Sequence, residues 1–217
     1  MITDDPGTPD KGNWEINFSV NSYLQKHEKE FETPLLDINF GFNERTQLKM
    51  EFSYLFVQTV PGKFQGRFGD LTVGIKYRFL DEDKSGIAIS IYPQITVATQ
   101  SDVKNEYLFP LQFEKSFGKV IIGLDARYSY ISGDEGFIQN GLLFGFDFWE
   151  RLVVMGEFVY WANVQKYSGI ESVVNLGMKY HINDLLTFMI SMGTSLFSPS
   201  DDLRTSFISF VGFQINI

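Results

Sequence analysis

Two histidines, His27 and His181, are the only imidazole bases in this sequence, and cysteine is absent. A hydrolytic site needs such a base within about 3 Å of a nucleophilic hydroxyl. His27 lies in the charge run Lys26-His27-Glu28-Lys29-Glu30, the composition of a solvated loop. Without cysteine there is no thiolate metal or redox chemistry and no disulfide framework. Asp81-Glu82-Asp83-Lys84-Ser85-Gly86 mimics the first half of a calcium loop, but its twelfth position is Tyr92 where a bidentate glutamate is required. These residues point to no enzyme, no cofactor and no metal centre. The net charge of -9 repels nucleic acid.

A different pattern does carry chemistry. Charged and amide residues recur two positions apart: Glu15 and Asn17, Asp37 and Asn39, Lys49 and Glu51, Lys76 and Arg78, Asp125 and Arg127. Glu114, Asp147, Glu157 and Lys179 occupy equivalent positions in other segments. Between them stand apolar residues, as in Trp14-Ile16-Phe18-Val20 and Leu71-Val73-Ile75-Tyr77-Phe79. A period of two belongs to β-strands with unlike faces.

Twelve such runs are expected, at about 14-24, 35-43, 46-57, 68-80, 86-98, 107-117, 119-131, 138-148, 151-161, 171-181, 185-196 and 206-217. Tight turns follow the even runs, and longer polar loops follow most odd ones. This is the pattern of outer-membrane barrels, whose short turns face the periplasm. Both termini then lie on the periplasmic side. No apolar run approaches the ~20 residues of a membrane helix. The expected fold is all-β, a transmembrane antiparallel up-and-down β-barrel of 12 strands.

Alternation alone does not say which face is outside. Phe is unusually abundant, at 22 residues, and the apolar face carries too much aromatic volume for a concave interior. The glycines Gly41, Gly74, Gly123, Gly141, Gly145, Gly177, Gly193 and Gly212 lie on the polar face instead, where a small barrel is crowded. The aromatic face therefore meets lipid, with Lys115 as its charged exception near a turn. Girdle aromatics are expected at the turn ends (Trp14, Phe42, Phe79, Phe117, Trp149, Tyr180) and at the loop ends, among them Tyr107, Tyr130 and Trp161. A mature outer-membrane sequence, with Met1 standing where a signal peptide was removed, is expected.

The lumen is the candidate site. Its first strands offer the charged and amide groups named above. Later strands add an apolar wall of Leu143, Val153, Met155, Val159, Val173, Met189 and Phe210. Residues 1–13 form a separate periplasmic segment, a candidate plug, whose Asp4 and Asp5 are expected near Lys76, Arg78 or Lys179. Residues 14–217 form the single barrel. Pro93 and Pro110 fall at nearly the same height on strands five and six, and each removes a ladder donor. A gap in the wall is the sharp expectation there and a plain bulge the bland one. The loop carboxylates Asp102, Glu106, Asp134, Glu135, Asp201 and Asp202 keep the loops soluble or bridge to lipopolysaccharide through divalent cations.

Ile2–Thr8 (ITDDPGT), followed by Asn13–Asn17 (NWEIN), resembles the mature start of the outer-membrane transporter family of the phenol-degradation (MetA) pathway. Gly69–Phe79 (GDLTVGIKYRF), Phe109–Lys119 (FPLQFEKSFGK) and Asn175–Asp184 (NLGMKYHIND) are similar to later strands of that family. The resemblance implies a small-molecule channel and assigns no catalytic residue. The expected function is passive diffusion of small, partly apolar or amphipathic molecules through a narrow lumen, by a monomer whose other partners are membrane lipid and lipopolysaccharide. A structural or assembly barrel with a blocked lumen is the alternative, and an outer-membrane lipid hydrolase a distant third.

Overall fold

Residues 2–133, 136–164, 171–198 and 204–217 are described by the computed structural model. Fourteen strand segments form one antiparallel sheet. In chain order they are β1 (Trp14–Gln25), β2 (Lys29–Asn43), β3 (Thr46–Val60), β4 (Lys63–Phe68), β5 (Leu71–Leu80), β6 (Ala88–Ile91), β7 (Gln94–Val97), β8 (Glu106–Phe117), β9 (Val120–Ile131), β10 (Gly136–Trp149), β11 (Leu152–Asn163), β12 (Glu171–His181), β13 (Leu186–Phe197) and β14 (Thr205–Asn216). β4 and β5 both pair with β3, and β6 and β7 both lie between β5 and β8. Each of these two pairs is one interrupted strand, so the wall has twelve. β1 pairs with β14 from Glu15↔Asn216 to Gln25↔Thr205, which closes the sheet. The fold is the expected 12-stranded transmembrane barrel.

Closure is what a bilayer demands, because every backbone N–H and C=O in hydrocarbon needs a partner and a closed sheet has no edge. The two faces separate as alternation implies. Phe18, Phe42, Ile75, Phe79, Leu124, Phe144 and Leu176 are exposed on the outside. Asn39, Gln47, Lys76, Gln112, Asp125, Glu157 and Asn175 are buried within. A soluble protein could not keep so continuous an apolar exterior. Lys115 bends back so that its Nζ lies 5.4 Å from the Phe117 ring centroid, at the turn end, as a snorkelling side chain does.

Two features differ from the sequence reading. The outer loops expected at 25–33 and 58–66 are instead continuations of strands. β1 and β2 run on to a turn at Gln25–Lys29, and β3 and β4 to one at Val60–Lys63. Both hairpins carry charged residues, Lys26, Glu28, Lys29 and Glu30 in one and Lys63 and Arg67 in the other, which hide the strands from an alternation pattern. Pro34 within β2 is accommodated by register shifts on both sides, at Ser19/Asn21 and at Glu32/Leu35.

The calcium-like stretch holds a single helical turn, Glu82–Ser85. Its Asp81 is taken by Arg78 at 2.7 Å, Lys84 at 3.6 Å and Arg45 at 3.8 Å. It is a turn between strands.

The second difference concerns Pro93 and Pro110. The strand is interrupted at Tyr92–Pro93, yet Ile91↔Leu111 before the break and Gln94↔Leu108 after it keep one register. The Tyr92 N–H donates to the Pro110 carbonyl at 2.9 Å, and the Ile75 N–H donates to that of Pro93 at 3.0 Å. The carbonyls of both prolines are thus used, and the wall stays stitched without a bulge. Register thus runs through the height at which a gap was weighed against a plain bulge.

Candidate functional site: the barrel lumen

Ladder register decides which inward side chains meet. Gln47 pairs with Lys76 and Pro110 with Arg127, and the Tyr92–Pro110 hydrogen bond joins these strands into one row. That row is a belt of ionic and amide groups with Tyr92 at its centre. Lys76 Nζ lies 4.7 Å and Lys49 Nζ 5.8 Å from the Tyr92 ring centroid, cation–π contacts that offset desolvation of the ammonium groups. Gln47 Nε2 donates to Tyr92 Oη at 3.2 Å and to Asn39 Oδ1 at 2.5 Å. Lys49 bridges Glu51 at 2.8 Å and Asp37 at 3.3 Å. Asn17 and Asn39 donate to Asp37, and Asn17 also donates to Glu15 at 3.1 Å.

Across the belt, Arg127 is paired with Asp125 through Nε at 2.8 Å and Nη2 at 2.5 Å. Glu157 is buried on the wall of later strands and accepts from Asn175 Nδ2 at 2.9 Å. Met155, Val159, Val173 and Ile208 are buried beside it. Leu143, Val153, Met189 and Phe210 are partly exposed. That wall is less uniform than its sequence implies, because Thr187, Ser191 and Ser195 are buried among the apolar groups. Glu114 and Lys179 are partly buried, and Asp147 is too, near the turn end.

Residues 2–13 run inside this ring. Ile2 and Thr3 N–H groups donate to the two Glu157 carboxylate oxygens at 2.7 and 2.9 Å, and Thr3 Oγ1 donates to Oε2 at 2.5 Å. Arg127 Nη2 donates to the Ile2 carbonyl at 3.0 Å, and the Asp4 N–H to Asp125 at 3.2 Å. Lys76 pairs with the Asp4 carboxylate at 3.1 Å and donates to the Asp5 carbonyl at 2.7 Å. Of the three cations expected near Asp4 and Asp5, Lys76 thus makes the contact, while Arg78 is held by Asp81. Burial opposes the charge on Asp4, but Lys76, Lys49 and Arg127 outweigh it and hold the carboxyl well below the usual carboxylate range.

Pro6 is completely buried. Two wall positions are shaped for this path. A Cβ on Gly41 would collide with the Asp10 and Pro9 carbonyl oxygens, and one on Gly141 with the Thr3 methyl. A Gly141→Val barrel should therefore shed the segment. With Thr8→Cys as reporter, thiol labelling should accelerate about tenfold or more, the effect of ~1.4 kcal/mol of lost docking. Unchanged labelling would show that the wall tolerates a side chain there.

Toward the loop end a cavity of about 190 Å³ opens between β2, β3 and β5, lined by Glu30, Glu32, Glu51, Ser53 and Thr72 among others. His181 lies at the opposite end, its Nδ1 2.9 Å from Thr187 Oγ1, and His27 lies in the β1–β2 turn. Asp102 is exposed, and Glu106 bonds Ser129 Oγ. Asp134, Glu135, Asp201 and Asp202 fall outside the described residues. Sequence reasoning overlooked Tyr92, Ser90 and Gln112. Their shared parity was the available signal, but strand five has no charged inward residue to mark Ser90 and Tyr92, and Gln112 lies beside the charged Glu114 on strand six.

A closed twelve-stranded barrel with an apolar exterior and an ionic interior defines the class: a transmembrane barrel of porin architecture. No family model matches the chain, and no curated protein matches it. Among solved structures it is similar to the NanC porin, with a TM-score of 0.67 at 12% identity, covering 92% of this chain and 98% of that one. It is also similar to the KdgM porin, with a TM-score of 0.64, 12% identity and the same coverage. A loop-deletion form of OmpT, an outer membrane protein of Vibrio cholerae, follows at 0.51 and 10% identity, covering 98% of this chain and 100% of that one. At these identities the likeness is one of fold.

Proposed function

We propose that this protein is a monomeric outer-membrane channel through which small amphipathic solutes diffuse, with residues 1–13 as its plug. The carrying observation is the lumen. An ionic belt faces buried Met155, Val159, Val173 and Ile208 across a closed wall, and only the N-terminal segment is described crossing between them. A wide porin is polar all round, whereas this interior offers a polar and an apolar side together. That composition suits a solute with both characters. The finer reading, membership of the phenol-degradation transporter family, rests on the segments Ile2–Thr8 and Gly69–Phe79 and accords with such solutes. The loop carboxylates would face lipopolysaccharide.

The docked segment also favours the second reading, a barrel whose lumen stays blocked. Planar-bilayer conductance separates the two. Deleting residues 2–11 removes the occupant without touching a strand and should raise conductance severalfold over the full chain. If neither form conducts, the barrel is structural. If both conduct alike, the segment is no plug.

A further inference from the structure

We infer that the side chains holding residues 2–7 form a binding site for short acidic peptides, and that the N-terminal segment is its tethered occupant. This inference rests on the channel reading and names its solute class. Four side chains from three strands, β5, β9 and β11, converge on one stretch of main chain. Glu157 accepts two consecutive backbone N–H groups, Asp125 accepts a third, Arg127 donates to one carbonyl and Lys76 to another. Lys76 also takes a side-chain carboxylate. The set therefore reads donor, acceptor and anion at the spacing of a peptide.

The wall is shaped for main chain as well. Gly41 and Gly141 clear the space where backbone and a methyl group pass, and Pro6 is sealed against solvent.

The vacated site specifies what can replace the segment. With the segment in place, Glu157 and Lys76 are each only 2% exposed. Without the segment, Glu157 keeps Asn175, and Lys76 faces the Tyr92 ring. Asp125 Oδ1, Asn175 Oδ1 and Gln112 Nε2 are buried with no hydrogen-bond partner even when the segment is in place. Buried ions and orphaned polar groups favour a ligand that supplies both signs of partner. A neutral sugar brings no carboxylate for Lys76, and a hydrocarbon brings neither partner. A peptide with paired N–H groups and an acidic side chain two residues on brings both.

The test uses the full chain carrying Thr8→Cys and the free peptide Ile-Thr-Asp-Asp-Pro-Gly. A short tether supplies a local concentration in the millimolar range, so the peptide should displace the segment only above roughly that concentration. Thiol labelling should then accelerate about tenfold, while glucose at equal concentration leaves it unchanged. Calorimetry on the 2–11 deletion in detergent micelles should show direct binding, weakened about tenfold or more by Glu157→Gln. Barrel folding is verified in each case by heat-modifiable gel mobility. No binding by the folded deletion variant, or labelling that glucose accelerates equally, overturns the inference. Peptide binding by a deletion variant that does not conduct overturns the channel reading and leaves the site standing. Conduction without peptide binding does the reverse.

Discussion

Replacing Ile75 or Leu124 by arginine is expected to cost about 2–4 kcal/mol each, because both project into hydrocarbon near mid-strand. The guanidinium cannot reach an interface from there without deforming the bilayer. Asn17→Arg places the same charge inside, between Glu15 and Asp37, and should fold nearly as well as the parent. Urea unfolding in bilayers, followed by heat-modifiable mobility, measures the difference. An Asn17→Arg barrel that fails while Ile75→Arg and Leu124→Arg fold would mean that the two faces have been assigned the wrong way round.

The second large effect concerns Lys76. Lys76→Met removes the ammonium group that binds both the Asp4 carboxylate and the Asp5 carbonyl. Breaking a fully buried pair costs roughly 3–5 kcal/mol. The Asp4 side chain keeps 39% exposure, so solvent screening brings the expected loss to about 2 kcal/mol, a roughly thirtyfold shift toward the undocked segment. Conductance at pH 7 should rise toward that of the 2–11 deletion.

The pH dependence has a definite sign. A carboxyl held below its usual range contributes to docking above its ordinary pKa, and that contribution is lost only as pH falls through the lowered value. In the parent protein the Asp4 carboxyl carbon resonance should therefore stay in its ionised position through pH 4. In Lys76→Met its midpoint should move upward. An unmoved midpoint would show that Lys76 does not govern Asp4.

The wall was legible because lipid punishes every violation of its alternation. Trp14-Ile16-Phe18 or Leu71-Val73-Ile75 cannot slip by one residue without driving Glu15 or Lys76 into hydrocarbon. Charged residues hide other strands from that pattern. Lys29–Thr33 and Lys63–Gly66 read as polar loops although they are strands. The lumen was legible as a list of inward residues but not as a network. Parity places Lys49, Lys76 and Arg127 inside, while only register reveals that Tyr92 stands beside Lys76, its ring within reach of both lysines. The pairing of strands five and six placed Pro93 and Pro110 at nearly one height. It could not show that both carbonyls would accept ladder bonds and hold one register across the break at Tyr92–Pro93.

The seam between β1 and β14 bears on how such a chain comes to exist at all. Trp14 and Ile217 exchange backbone hydrogen bonds of 2.6 and 2.9 Å, so the first strand waits for a partner at the far end of the polypeptide. Every other neighbour pair is joined by a local hairpin that can form as the chain arrives. Until β14 is delivered, the growing sheet carries two unsatisfied edges, and hydrocarbon cannot receive either. Closure of the barrel thus waits on its last strand. A chain stalled before it is an edge-bearing sheet primed for aggregation, which must be shielded in water until the circle can be completed.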